Sequence, residues 1–270
     1  LSIVRKHRKR KTRTTIWALS ITSLLIVGTV TVMNNEQNDN QTKVIKKNVQ
    51  VKNDMIKKDI LSFPDYDQTS QQDDSGLLEV LNIESNLVLV NKNRKLPDNY
   101  EPNDLVYPSI PLNGAVKEKT KMRSEAAKAL EKLFAGALED GYTLTAVSGY
   151  RSYDRQVSLY NHYLETRGEE WTKAYSAFPG TSEHQTGLAM DVSSPSFGNA
   201  LEVEFADTEE GKWLAEHAHE YGFVVRYPEN KQDKTNYNFE PWHIRYVGVD
   251  YANYLYTKNL VLEEAMPSEK

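Results

Sequence analysis

The sequence has no cysteine among its 270 residues. That excludes disulfides, thiolate metal ligands, a cysteine nucleophile and a lipid-modified cysteine anchor. Any metal chemistry therefore rests on histidine, aspartate and glutamate, and there are only six histidines to supply it. Acidic residues are missing ahead of Thr14, where Arg5, Lys6, Arg8, Lys9, Arg10, Lys11 and Arg13 stand. The net charge of −5 thus divides into +7 on this block and −12 on everything after it. A body that acidic argues against nucleic acid as a partner.

Charge of either sign is also missing from Thr14 to Met33, where Ile16, Trp17, Leu19, Ile21, Leu24, Leu25, Ile26, Val27, Val30 and Val32 dominate. About 20 apolar residues suffice to carry a helix across a bilayer. A soluble core helix is the bland alternative, and the lack of any polar face argues against it. Lys and Arg next to such a run stay on the cytoplasmic side. The pattern predicts a basic cytoplasmic tail over residues 1–13, a transmembrane anchor over 14–33 and an outward-facing remainder. A cleaved signal peptide is the rival reading, but the run is long for one and no Ala-x-Ala-like site precedes Asn34.

Residues 34–76 are rich in Asn, Gln, Asp and Lys and poor in aromatics. Such a segment has too little apolar surface to order itself, and we read it as a flexible polar tether. A helix over 44–61 is the competing local element, and a plain spacer is the simpler alternative to a tether that sets reach.

A folded domain is expected over 77–270. Leu87-Val88-Leu89-Val90 reads as a short strand, and Pro97, Pro102, Pro108 and Pro111 punctuate a turn-rich segment. Ala127, Leu130, Leu133, Phe134 and Leu138 recur at helical spacing, predicting a helix over 125–139 capped by Ser124 and ended by Gly141. A second helix over 154–167 places Val157, Tyr160 and Leu164 on one face, and a third covers 207–221. Strands are predicted at 142–147, 188–192, 223–226 and 242–247. An amphipathic helix over 249–266 closes the domain. The pattern gives an α+β fold, a small mostly antiparallel sheet backed by helices.

The chemistry is concentrated in two stretches. Ser182 to Asp191 reads Ser-Glu-His-Gln-Thr-Gly-Leu-Ala-Met-Asp, and Glu240 to His243 reads Glu-Pro-Trp-His. Together they offer two imidazoles and a carboxylate, His184, Asp191 and His243, with Glu240 as a spare carboxylate. Three such ligands and an open fourth position describe a catalytic zinc site rather than a structural one. An unligated glutamate is what that site needs to take a proton from water. His184 and Asp191 lie seven residues apart with Gly187 between them, which lets the chain turn once and aim both side chains at one point. Pro241 disfavours helical geometry at Glu240, so the helical His-Glu-x-x-His arrangement is excluded. If Trp242 faces the core, strand alternation turns His243 to the opposite face. Taken singly, each of these residues reads as surface or packing, and the signal lies in the set. His217 and His219 point to different faces of a helix, His162 reads as exposed, and His7 belongs to the tail.

Ser-x-His-x-x-Gly-x-Ala-x-Asp followed by Glu-Pro-Trp-His resembles the VanY-type D-alanyl-D-alanine carboxypeptidases. These belong to the LAS group of zinc metallopeptidases (peptidase family M15B), which also includes LdcB-like L,D-carboxypeptidases. Ser148-Gly149-Tyr150-Arg151-Ser152, Glu210-Gly211-Lys212-Trp213-Leu214, Gly222-Phe223-Val224-Val225-Arg226-Tyr227-Pro228 and His243-Ile244-Arg245-Tyr246-Val247-Gly248 follow the family's order. The likeness covers roughly residues 78–266. It implies a hedgehog/D-Ala-D-Ala peptidase-like fold, one zinc ion per domain on His184, Asp191 and His243, and Glu240 as the base. Arg151 is expected to hold the terminal carboxylate in bidentate fashion and to steady the oxyanion. The resemblance further implies that Gln156 faces the terminal residue and Ser182 bonds the substrate backbone. Trp171, Tyr175 and Phe178 are candidate groove walls, and Arg245 reads as structural, paired with an acid near the last strand.

The leading expectation is a zinc carboxypeptidase that removes the C-terminal D-alanine from peptidoglycan stem peptides. It would face outward from a Gram-positive-like cell membrane on a single-pass anchor. D,D-cleavage of pentapeptides leads, with a consequence for glycopeptide resistance or wall maturation, and L,D-cleavage of tetrapeptides is the alternative. Action on free D-Ala-D-Ala gains nothing from a tether. A Ser182 nucleophile lacks the Ser-x-x-Lys that would activate it. A non-catalytic wall-binding module is the reading from another class.

Overall fold

The computed structural model of the chain describes residues 61–115 and 117–268. The expected cytoplasmic tail, transmembrane anchor and tether residues 34–60 lie outside them. Among the described residues, no helix is long and apolar enough to cross a membrane.

The compact unit begins at Ser62 rather than at Leu77, which corrects the expected end of the tether. The segment is poor in apolar residues, but a buried cation gives it order. The guanidinium of Arg94, 0% exposed, donates to the carbonyls of Tyr66 at 2.7 Å and Thr69 at 3.2 Å and to Ser70 Oγ at 2.8 Å. It also lies over the Tyr66 ring at 4.3 Å. Phe63 meets Tyr251 edge-on, with ring centroids 5.0 Å apart.

Strands β1 (Ser70–Gln72), β2 (Leu78–Val80) and β3 (Arg94–Lys95) form a small sheet in that order, in which β2 and β3 run parallel. β4 (Leu105–Val106) pairs antiparallel with β5 (Met122–Arg123). The main sheet has four strands, β6 (Thr145–Ser148), β7 (Ala189–Ser193), β8 (Phe223–Tyr227) and β9 (Glu240–Tyr246), in the order β6-β7-β9-β8. All its pairs are antiparallel. The helices are α1 (Ser124–Glu139), α2 (Tyr153–Arg167), α3 (Glu169–Tyr175), α4 (Glu209–His217), α5 (Gln232–Thr235), α6 (Val249–Lys258) and α7 (Leu262–Ala265). The class is α+β with mostly antiparallel pairing, as the sequence implies.

One face of the main sheet carries the core. Leu130, Leu133 and Phe134 of α1 pack with Leu188, Met190, Val192 and Ile244. Each large side chain removed from water there contributes roughly 1.5–3 kcal/mol. Successive residues of a strand point to opposite faces. With Met190 and Val192 in the core, Asp191 is directed to the other side, where the chemistry is.

Several elements depart from expectation for visible reasons. Leu87 to Val90 is buried but joins no sheet. Arginines take two of its carbonyls instead: Arg245 donates to Val88 O at 2.8 Å, and to Asn86 O just before the run at 3.0 Å, and Arg94 Nε donates to Leu89 O at 3.1 Å. The closing helix is two helices, because Asn259 adopts φ +52 after α6, a left-handed cap that asparagine tolerates. Ser124 lies inside α1 with Arg123 at the cap position. Leu138 is 65% exposed, and Ala137 takes the buried position beside it. On α2 Tyr160 of the expected stripe is buried, Val157 and Leu164 are half-buried, and Gln156 is buried as well.

Candidate active site

Strand pairing assembles the site. In the β7–β9 ladder Asp191 stands directly opposite His243, so both side chains emerge on one face. Trp242 packs against the main core, and His243 turns the other way, as alternation requires. In the β6–β7 ladder an irregularity between Ala146 and Ser148 sets Ser148 opposite Asp191. The chain leaving β6 there brings Gly149 and Arg151 to the same edge. His184 arrives from the 3-10 turn Glu183–Thr186 that precedes β7. Gly187 closes this turn at φ +68, a region that glycine enters without steric cost. A Cβ there would meet Leu105 Cδ2 at 2.8 Å. The turn therefore folds His184 back over Asp191, as the spacing predicts.

His184, Asp191 and His243 are all buried, and their ligand atoms lie within 4.8 Å of one another. His184 Nε2 is 3.4 Å from Asp191 Oδ2, and His243 Nδ1 is 3.0 Å from Asp191 Oδ1. The two imidazoles meet edge-on, 4.9 Å apart. The Gly149 carbonyl lies 2.8 Å from His184 Nδ1. Held by that acceptor, Nδ1 carries the proton and Nε2 is left free as a ligand. Burial pushes His184 down to about 3, so at neutral pH it is in the neutral form that ligates metals. Burial alone would lower His243 too, but the carboxylates of Asp191 and Glu183 carry it up to about 9. A buried Asp191 carboxylate between two imidazoles suits a divalent cation, and the N,N,O donor set suits zinc.

The donors open into a cleft of about 330 Å³, whose walls include Arg151, Tyr163, Tyr175, Ser182, Tyr237 and Glu240. Glu240 is the first residue of β9. Burial raises its carboxyl to about 7, with His243 opposing and the Asp191 and Glu183 carboxylates adding to the rise. Arg151 is held at both ends. Its backbone N–H donates to His184 O at 3.1 Å, and its guanidinium donates to Gln156 Oε1 at 2.9 Å.

Gln156 departs from expectation. It is 1% exposed, and its amide nitrogen donates to Ala177 O at 2.6 Å and Ser176 Oγ at 3.4 Å. With both ends of the amide engaged inside the protein, it aims Arg151 rather than facing the terminal residue itself. Ser182 is buried and lines the cleft. Of the three aromatics read as walls, Tyr175 lines the cleft. Trp171 stacks on Tyr175 at 5.0 Å, and Phe178 meets Tyr160 edge-on. Arg245 is structural, with Nη1 2.8 Å from Glu183 Oε1. The other described histidines stay outside the ligand set. His162 is exposed, His217 stacks on Trp213, and His219 stacks on Tyr256.

Sequence reasoning assigned no chemistry to Glu183, Arg226 or Tyr227. Glu183 is buried with Arg226 Nε and Arg245 Nη1 each 2.8 Å from Oε1. Tyr227 stacks on His243 at 4.9 Å. The signal was present, since Glu183 sits between Ser182 and His184 and Arg226-Tyr227 lies in a quoted motif. A charged residue beside a ligand is ordinarily a solvated one, and only the fold shows that this one is enclosed.

A profile of the VanY family, D-alanyl-D-alanine carboxypeptidase, matches residues 119–249. The YodJ protein of Bacillus subtilis (strain 168) is 43% identical over 253 residues, 92% of this chain and 93% of its own. Among solved structures, the LdcB LD-carboxypeptidase is 44% identical with a TM-score of 0.72, covering 77% of this chain and 100% of that one. A mutant of the vancomycin-resistance D,D-pentapeptidase VanY, solved in complex with Zn(II), is 32% identical with a TM-score of 0.54, covering 67% and 98%.

Proposed function

The chain belongs to the VanY family of D-alanyl-D-alanine carboxypeptidases and is a zinc-dependent carboxypeptidase of peptidoglycan peptides, and from that premise we propose how its residues divide the work. The observation that carries the proposal is the convergence of His184, Asp191 and His243 beneath a cleft that also holds Arg151 and Glu240. His184, Asp191 and His243 hold the zinc ion. The chemistry zinc supplies when bound there is Lewis acidity toward the scissile carbonyl and activation of water. Glu240 takes the proton of the attacking water and returns it to the departing D-alanine amine. Arg151, aimed by Gln156, grips the terminal carboxylate and favours the developing oxyanion. Ser182 offers its hydroxyl to the substrate backbone from the cleft wall. With base and ligands all in place, a non-catalytic wall-binding module has no support.

Two stem peptides fit this chemistry, and each has an observation behind it. The stronger likeness to LdcB, in identity, TM-score and coverage, favours the tetrapeptide. The family description and the VanY likeness favour the pentapeptide. We take the tetrapeptide as the preferred substrate. The test offers the zinc-loaded protein matched muropeptides ending in tetra- or pentapeptide and follows D-alanine release with and without chelator. Faster chelator-sensitive release from the tetrapeptide supports this choice. Faster release from the pentapeptide reverses it, and release from neither, with zinc bound, ends the carboxypeptidase assignment for this chain.

We also propose an outward-facing domain on a single-pass anchor, supported by the basic block and the uncharged run over 14–33. Protease added to intact cells should digest the catalytic domain, and its complete protection would rule the topology out.

A further inference from the structure

We propose that Glu183 is a positioning residue for the metal ligand His243, fixing which of its ring nitrogens carries the proton. The inference rests on His184, Asp191 and His243 being the ligands. His243 presents Nδ1 to the cluster, 3.0 Å from Asp191 Oδ1, and its other nitrogen, Nε2, lies 3.3 Å from Glu183 Oε2. An imidazole that gives one nitrogen to a metal carries its proton on the other, and an acceptor there sets both tautomer and ring orientation.

Glu183 is built to be that acceptor. It is enclosed, 2% exposed, and its two oxygens have separate partners. Arg226 Nε and Arg245 Nη1 both donate to Oε1 at 2.8 Å, which leaves Oε2 for His243. The arginines are themselves held. Arg226 makes two further bonds to Glu263, at 2.9 and 2.6 Å, and Arg245 donates to the carbonyls of Asn86 and Val88. The carboxylate therefore has no freedom to turn, and Tyr227 stacked on His243 limits the ring from its face.

Glu183→Gln tests the arrangement, because it keeps the size and changes the hydrogen-bond sign. The arginine donors demand an oxygen at the Oε1 position, so the amide NH₂ is directed at His243 Nε2. There it calls for a lone pair and moves the ring proton to Nδ1, the nitrogen needed for the metal. Zinc affinity, measured on the full chain by competition with a chromophoric chelator, should weaken about 10–100-fold. Affinity within threefold of the wild type in a folded variant overturns the proposal. Should the variant fail to fold, ¹⁵N-histidine NMR of the zinc-loaded wild type decides. A proton on Nε2 of His243 upholds the proposal, and metal on Nε2 with the proton on Nδ1 refutes it. His243→Ala separates this proposal from its premise. Unchanged zinc affinity in that variant removes His243 from the ligand set, whereas lost affinity there with an unaffected Glu183→Gln removes only the role of Glu183.

Discussion

Glu240 stands at the mouth of the ligand cluster without belonging to it, and that separation is testable at the scale of one residue. Glu240→Ala should retain zinc and lose about 10²–10⁴-fold in kcat, measured as D-alanine release with metal content in parallel. The pH dependence has a definite sign. Burial holds the Glu240 carboxyl up at about 7, with Asp191 and Glu183 adding to the rise. A base works only when ionised, so activity is lost as pH falls through that value. A cation in the cluster favours the ionised form and moves the transition lower. The acid limb of kcat/KM should therefore have its midpoint at or below about 7, and the residual rate of Glu240→Ala should lack it. A midpoint above about 8 would assign the limb to another group. Arg151 illustrates the limit of residue-level reading. Its chemistry was legible from the type of side chain, but its aim depends on Gln156, which the sequence placed against the substrate instead.

At the scale of elements, the site is a product of register and one turn. The β7–β9 register sets Asp191 opposite His243, and a slip by one residue would turn Asp191 into the core. The 3-10 turn that delivers His184 ends at Gly187, whose φ of +68 and close approach to Leu105 and Arg123 leave no room for a Cβ. Gly187→Ala should cost about 1–3 kcal/mol of stability, read as a lower urea midpoint, and should weaken zinc binding because it displaces His184 relative to Asp191. Unchanged stability and affinity would mean the turn does not set the ligand. Element positions were largely readable from periodicity, as α1 and β7 illustrate. What failed were ends and breaks: the αL cap at Asn259 that divides the closing helix, and the Leu87–Val90 run. Local hydrophobicity says that such a run is buried, but not whether its carbonyls meet a strand or an arginine.

Over the whole molecule, the compact unit starts at Ser62, and the reason is the buried Arg94. A fragment beginning at Leu77 removes the Tyr66, Thr69 and Ser70 acceptors of its guanidinium. A hydrogen bond to a charged group contributes about 1.5–3 kcal/mol, and the truncation removes four of them. The fragment from Leu77 should therefore unfold at a markedly lower urea concentration than one from Ser62, by circular dichroism. Equal midpoints would return residues 62–76 to the tether.

The sequence by itself determined the ligand types, the spare glutamate, the α+β class and the order of the main-sheet strands' segments along the chain. These follow from local spacing and from the chemistry of side chains near one another in sequence. Only the tertiary structure decided that Glu183 is enclosed between Arg226 and Arg245, that Gln156 stands behind Arg151, and that Arg94 orders the segment after Ser62. The first and the last are partnerships across distant parts of the chain, and Gln156, five residues from Arg151, is held behind it by Ser176 and Ala177, 20 and 21 residues further on. A charged side chain looks the same in sequence whether water or a buried counter-charge surrounds it, because the choice of partner is made by packing rather than by neighbours along the chain.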